Sequence, residues 1–199
     1  AAVIGEVIAQ PVYRVTEVDR VVAEFPGSRL VTECPLYDPP ASDDPAIAAL
    51  RARDVQAIAE RPEEQDPTWT LERLLSSPTI ASKKWAYRQY DTTVRTSTVL
   101  RPGNGDAAVI RLRHTDRAIA LKTDCNGRYV SLDPRVGAQI AVAEAARNVA
   151  CTGARPMAIT NCLNFGNPKR PEVFFQFREA VRGMGEACMA VRVRITVWL

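Results

Sequence analysis

Between Asp133 and Gly153 the chain reads DPRVGAQIAVAEAARNVACTG, a stretch that carries helix punctuation at both ends. Asp133 offers a side-chain oxygen to the first unpaired backbone N–H groups, Pro134 suits a first helical position that needs no donor, and Gly153 suits the left-handed residue that closes a helix. The segment is read as a helix. Its inward positions, Ile140, Val142, Ala145, Ala146 and Val149, are mostly small, which predicts close packing against a sheet. Upstream, AAVIRLR and AIALKTD read as two strands joined by a turn at His114. Downstream come a short MAIT strand, an asparagine-rich loop and a second helix from about Glu172, with Val173, Phe174, Phe177, Val181, Met184 and Cys188 at three- and four-residue spacing. A last run, VRVRITVWL, places Val191, Val193, Ile195, Val197 and Leu199 on one strand face and is expected at a sheet edge without a next partner. The order ββαβα and then β predicts an α/β fold of the α+β kind with a mixed sheet.

The rest of the chain has a different texture. Residues 1 to 31 contain three short alternating runs, AAVIGEVI, PVYRV and VVAEF, separated by turn residues, which predict a small antiparallel β unit. Residues 35 to 80 open on the proline and acid cluster PLYDPPASDDP and continue through DPAIAALRARDVQAIAERPEEQDP and LERLLSSP, a linker with one or two helices. From about Ile80 the composition is that of a mixed domain.

Charge and cysteine usage narrow the function classes. The 26 Lys and Arg against 23 Asp and Glu form no basic block, so nucleic acid is not the expected partner. No run approaches the roughly 20 apolar residues of a membrane span, and the first residues lack a basic leader. Five cysteines without a CxxC pair read as reduced thiols of a cytoplasmic protein rather than a disulfide or zinc framework. The single histidine, His114, is read as an exposed turn residue, which leaves no pair for nucleophilic catalysis.

Polar loops remain as the place for chemistry. Gly103, Gly105 and Asp106 in RPGNGDAAV would bring backbone N–H groups to phosphate oxygens and a carboxylate to a metal; a plain hairpin entry explains the same residues. Lys122, Asp124 and Asn126 alternate at the end of AIALKTD and so share a face, where Lys meets phosphate and Asp meets Mg²⁺; a solvated strand end is the structural alternative. In TNCLNFGNPKRP, Asn161, Asn164 and Asn167 offer neutral donors and acceptors around Gly166 and Pro168, a pattern that serves a turn or a polar ligand equally well. The helix that follows points its positive end at that loop.

Three stretches carry a resemblance: TSTVLRPGNGDAAVIRL, TDCNGRYVSLDPRVGAQIAVAEAARNVACTGARPMAIT and CLNFGNPKRPEVFFQFREAVRGMGEAC. Together they resemble subunit II of phosphoribosylformylglycinamidine synthase, the PurL family, and the likeness extends to KKWAYRQYD, the linker and the segment from AAVIGEV to PLYDPPA. The family is internally duplicated, each half pairing an N-terminal α/β domain with a C-terminal domain of the kind shared with aminoimidazole ribonucleotide synthetase. The resemblance implies that residues 1–41 are the tail of the first half's PurM-like C-terminal domain and 42–79 a helical linker. Residues 80–199 would be a truncated PurM-like N-terminal domain of the second half. After GMGEAC the ending MAVRVRITVWL departs from the family, which has a strand and a Gly-Gly-Asn loop there, and is read as an aberrant end of a fragment inactive alone.

The implied reaction uses ATP to phosphorylate the amide oxygen of formylglycinamide ribonucleotide, after which ammonia displaces phosphate. ATP and Mg²⁺ are the implied cofactors. The implied partners are the first-half domains, a glutaminase subunit, a small accessory subunit and the ribonucleotide substrate. By this likeness ATP contacts fall to Asn161, Lys122 and Gly105, and metal contacts to Asp124 and Asp106. At position 161 the family commonly has Asp. The family's catalytic histidine lies in the first half's N-terminal domain, outside these residues. A noncatalytic nucleotide-binding or assembly module is the alternative reading.

Overall fold

In the computed structural model, which describes residues 1–54 and 66–197, the chain divides into two units, Ala1–Pro39 and Pro40–Leu199. In the first unit, strands Val12–Glu17 (β1) and Arg20–Pro26 (β2) pair antiparallel around a turn at Val18 and Asp19. Val18 takes a left-handed φ of 54°, unusual for a β-branched residue. Cross-strand partners hold the hairpin: Tyr13 and Phe25 stack with ring centroids 5.4 Å apart, and Arg14 meets Glu24 at 2.5 Å. A one-turn helix, Ser28–Val31 (α1), follows. The expected third strand is absent from this unit: residues 1–8 form no strand, and Val3, Ile4 and Val7 are almost wholly exposed. Alternation identifies the face a strand would bury but does not supply a neighbour to hydrogen-bond with.

The second unit opens with helices Pro45–Arg51 (α2) and Pro67–Ser76 (α3), each started by the same device. Asp44 accepts from the Ala46 N–H at 2.8 Å and Asp66 from the Thr68 N–H at 2.9 Å, with a proline at the first helical position. The later part of the helical stretch expected after Asp54 falls at 55–65, outside the described residues. A short helix, Lys84–Tyr87 (α4), leads to the antiparallel strands Thr98–Leu100 (β3), Ala108–Arg111 (β4) and Ala118–Leu121 (β5), in that spatial order. His114 sits exposed in the β4–β5 turn with φ 60°, as the sequence led us to expect.

Helix Gly127–Leu132 (α5) is followed by Pro134–Cys151 (α6), strand Ala158–Asn161 (β6), helix Pro171–Ala190 (α7) and strand Arg194–Val197 (β7). The punctuation of α6 is as read: Asp133 accepts from the Val136 N–H at 3.0 Å, and Gly153 takes φ 82°. β6 and β7 pair in parallel through α7, with Asn161 opposite Val197. Among the described residues β7 pairs with β6 alone and so lies at the edge of a two-stranded sheet, as expected of a last strand without a next partner; Leu199 lies outside the described residues. The strands also form separate antiparallel and parallel sheets rather than one mixed sheet.

The closest neighbours of α6 among the described residues are α7 and α5, and their approach sets its inward face. Pro134, Gly137, Ala138 and Val142 are buried, whereas Ile140 is 40% exposed. Glycine sets the approach distances. A Cβ on Gly137 would lie 2.5 Å from the Val130 backbone nitrogen, and one on Gly183 of α7 would run into the Arg135 carbonyl. Across the same seam Arg135 and Gln139 of α6 donate to the Glu186 carboxylate of α7. The buried apolar residues are Ala138 and Val142 of α6, Ala180 and Cys188 of α7, Val193, and Ala107 beside β4. Small side chains at a helix crossing permit this close contact.

Candidate functional site

The loop from Arg101 to Ala107, between β3 and β4, turns sharply because Gly103 adopts φ 85° and the Asn104 N–H donates to the Arg101 carbonyl at 3.0 Å. This brings Gly105 and Asp106 over the start of β4. In the β4–β5 register Ala108 faces Leu121, so Lys122 arrives at the same end of the sheet. Gly105, Asp106 and Lys122 together line a cavity of about 410 Å³, joined by Arg101 and Thr123. Two cations, one carboxylate and the hydroxyls of Thr92, Thr98 and Thr123 in such a hollow suit a phosphorylated ligand with a counter-ion.

Asp124 is held beside this cavity rather than in its wall. Its Oδ2 accepts from Asn148 Nδ2 of α6 at 2.8 Å and lies 3.9 Å from Lys122 Nζ. The alternation argument for Lys122, Asp124 and Asn126 holds for the first two alone: Lys122 and Asp124 meet just beyond the end of β5 at Leu121, whereas Asn126 caps α5 by accepting from the Arg128 N–H at 3.1 Å. Only Asn126 leaves the set, because its side chain is taken up in capping.

The asparagine loop separates into two roles. Asn167 accepts from the Lys169 N–H at 3.0 Å and Asn164 donates to the Cys162 carbonyl at 3.1 Å, both local turn bonds. Asn161, the last residue of β6, is only 8% exposed, and neither its Oδ1 nor its Nδ2 has a hydrogen-bond partner among the described residues. It does not line the cavity that holds Lys122.

A divalent ion finds a partial fit. Among the described residues no three His, Cys, Asp or Glu side chains gather into a cluster. Mg²⁺ is commonly held by one or two carboxylates together with a substrate's phosphates, and Asp106, in the wall beside Lys122, meets that requirement better than Asp124, which is already engaged. Two contributors were missed in the sequence. Arg101 was hidden in turn chemistry, and Asn148 was visible only as a polar residue in the otherwise small-residue run of α6.

A family model described as AIR synthase related protein, N-terminal domain, matches residues 104–197, which contain all five of the candidate residues. The chain is 50% identical over 196 residues to phosphoribosylformylglycinamidine synthase subunit PurL of Moorella thermoacetica. This chain is a homologue of part of PurL. The matched stretch is 98% of the chain and 26% of that relative, and the PurL of Alkaliphilus metalliredigens is 50% identical over 189 residues, 94% of the chain and 25% of its own length. The chain thus spans about a quarter of these PurL proteins. Its mixed α and β structure contains the AIR synthase type of N-terminal domain. Among the described residues no helix is long and apolar enough to cross a membrane.

Proposed function

We propose that this chain supplies part of an ATP-dependent, amidine-forming ligase of de novo purine biosynthesis. The reaction takes formylglycinamide ribonucleotide, ATP and glutamine-derived ammonia to formylglycinamidine ribonucleotide, ADP and phosphate. The observation that carries this reading is the 50% identity to PurL over 98% of the chain. Lys122 and Arg101 offset the charge of phosphate oxygens in the cavity, and Gly105 lets backbone approach them closely. Asp106 and Asp124 are the carboxylates for Mg²⁺, which when bound would neutralise charge on the transferring phosphoryl group. Asn148 and Lys122 position Asp124. Asn161 is the neutral donor and acceptor for an uncharged part of the nucleotide, its amide atoms being without partners among the described residues.

In this reading residues 1–41 belong to the end of a first-half PurM-like C-terminal domain, 42–79 to a linker and 80–199 to a second-half N-terminal domain. The partners are the first-half domains, a glutaminase subunit and a small accessory subunit, in the cytoplasm. A noncatalytic nucleotide-binding or assembly module is the second reading, favoured by the exposed apolar side chains of both units, among them Tyr13, Val21, Val99 and Leu121.

Calorimetric titration of the 199-residue chain with Mg-ATP tests both. We expect saturable heat that weakens at least tenfold in Lys122→Ala. No heat from a chain shown to be folded by circular dichroism removes nucleotide binding at this cavity. Sustained amidine formation from ATP and ammonia by this chain alone would show that it needs no other domain.

A further inference from the structure

The β4–β5 hairpin has two ends. Ala108 faces Leu121 at the end that carries the Lys122 cavity, and Arg111 faces Ala118 at the other, where the turn begins. At that turn end lies a second hollow of about 680 Å³, lined by Thr96, Arg111, Arg113, His114, Thr115 and Asp116, none of which lines the first cavity. All six residues are exposed, so the hollow is open to solvent.

Its charge is largely uncompensated. Neither Arg111 nor Arg113 pairs with a carboxylate among the described residues, and Asp116 is the one acid in the lining. Arg113 spends one of its five donors on the Arg95 carbonyl, which ties the hairpin tip to the turn before β3. The backbone around the hollow is held in sparsely populated conformations: Arg95, Thr96 and His114 take φ values of 61°, 52° and 60° without being glycine. Such conformations are disfavoured for residues other than glycine and cluster at ligand clamps, where surrounding structure keeps side chains in a working geometry.

We propose that this hollow is an anion site that takes a phosphate-type oxyanion, separate from the cavity around Lys122. Two guanidinium forks supply planar paired donors, the Thr96 and Thr115 hydroxyls can donate to remaining oxygens, and an anion there relieves the repulsion between Arg111 and Arg113.

His114 makes the test direct, since it is the only histidine in the chain and its imidazole gives a single set of NMR signals at the rim. The full 199-residue chain is titrated with inorganic phosphate, and separately with methyl phosphate, at fixed pH and with ionic strength held by chloride. The expected result is a saturable shift of the His114 signals that Lys122→Ala retains, that Arg111→Gln with Arg113→Gln weakens at least tenfold, and that Asp116→Asn strengthens severalfold. Tighter binding of methyl phosphate assigns the site to a phosphomonoester, and equal or weaker binding to free phosphate. If the double variant does not fold, Arg113→Lys, which keeps charge and loses the fork, should still weaken binding severalfold. A shift that never saturates, that chloride reproduces, or that the folded arginine variants leave intact overturns the proposal. Because Lys122→Ala removes the first cavity's phosphate contact and not this one, the two sites fail separately.

Discussion

Asn161 ends β6 with a side-chain amide closed off from solvent and without a hydrogen-bond partner among the described residues. A buried polar atom left without a partner costs about 1–3 kcal/mol, while an apolar side chain of similar shape at the same place costs little. The asparagine is therefore a local debit on stability that a ligand contact would explain. Replacing it by leucine should leave the chain equally stable or more stable by about 1–2 kcal/mol in urea unfolding, and should weaken the nucleotide heat less than Lys122→Ala does, since Asn161 lies outside that cavity. Loss of more than about 1 kcal/mol in Asn161→Leu would mean that the amide is satisfied in the native protein, as by a buried water, and would withdraw it from the ligand site.

Among the elements, α6 and α7 depend on each other most closely. Their crossing brings the Arg135 backbone onto Gly183, so a methyl group there meets a carbonyl that cannot swing away as a flexible side chain would. Alanine improves helix propensity by about 1 kcal/mol over glycine, yet overpacking costs about 1–3 kcal/mol and backbone contact places this site at the upper end. Gly183→Ala is thus expected to lower stability by about 1–2 kcal/mol net. Gly185, two residues on, has no atom within 4 Å of the same added methyl, so Gly185→Ala should be stabilising and serves as the control. Equal denaturation midpoints for the two variants would show that the helices can separate without cost.

For the whole molecule, the pH response follows from carboxylates that share one direction of shift. Glu186 is held below the ordinary glutamate value of 4.5, first by the hydrogen bond from Arg135 and then by its charge. Glu172, at the start of α7, is lowered by its backbone N–H and by Arg170, and Asp91 by the Thr93 hydroxyl and N–H. Lowered folded values mean stability that is fully present above the unfolded values and lost as pH falls through the folded ones. Arg135 is raised and stays charged throughout. The urea midpoint should be level from neutral pH down to the ordinary carboxylate range and fall below it, and Glu186→Gln should make that fall shallower. An unchanged acid slope in this variant would show that the ion pair between α6 and α7 does not persist in solution.

Local rules settled what a short stretch can settle. Asp133, Pro134 and Gly153 bounded α6 because capping is an interaction among residues a few positions apart, and the β4–β5 hairpin was legible because its partners are joined by one turn. Lys122, Gly105 and Asp106 could be nominated from residue type, since charge and backbone freedom are properties of the residue itself. Their meeting in one cavity depended on register, a matter of two strands together. Only the tertiary structure decided that residues 1–8 lack a strand partner, that Ile140 faces outward while Gly137 faces in, and that of three asparagines one is buried and unpaired among the described residues while two close turns. Periodicity says that a face exists; which neighbour covers it depends on groups far away in the chain, and the burial of Asn161 has no local signature at all.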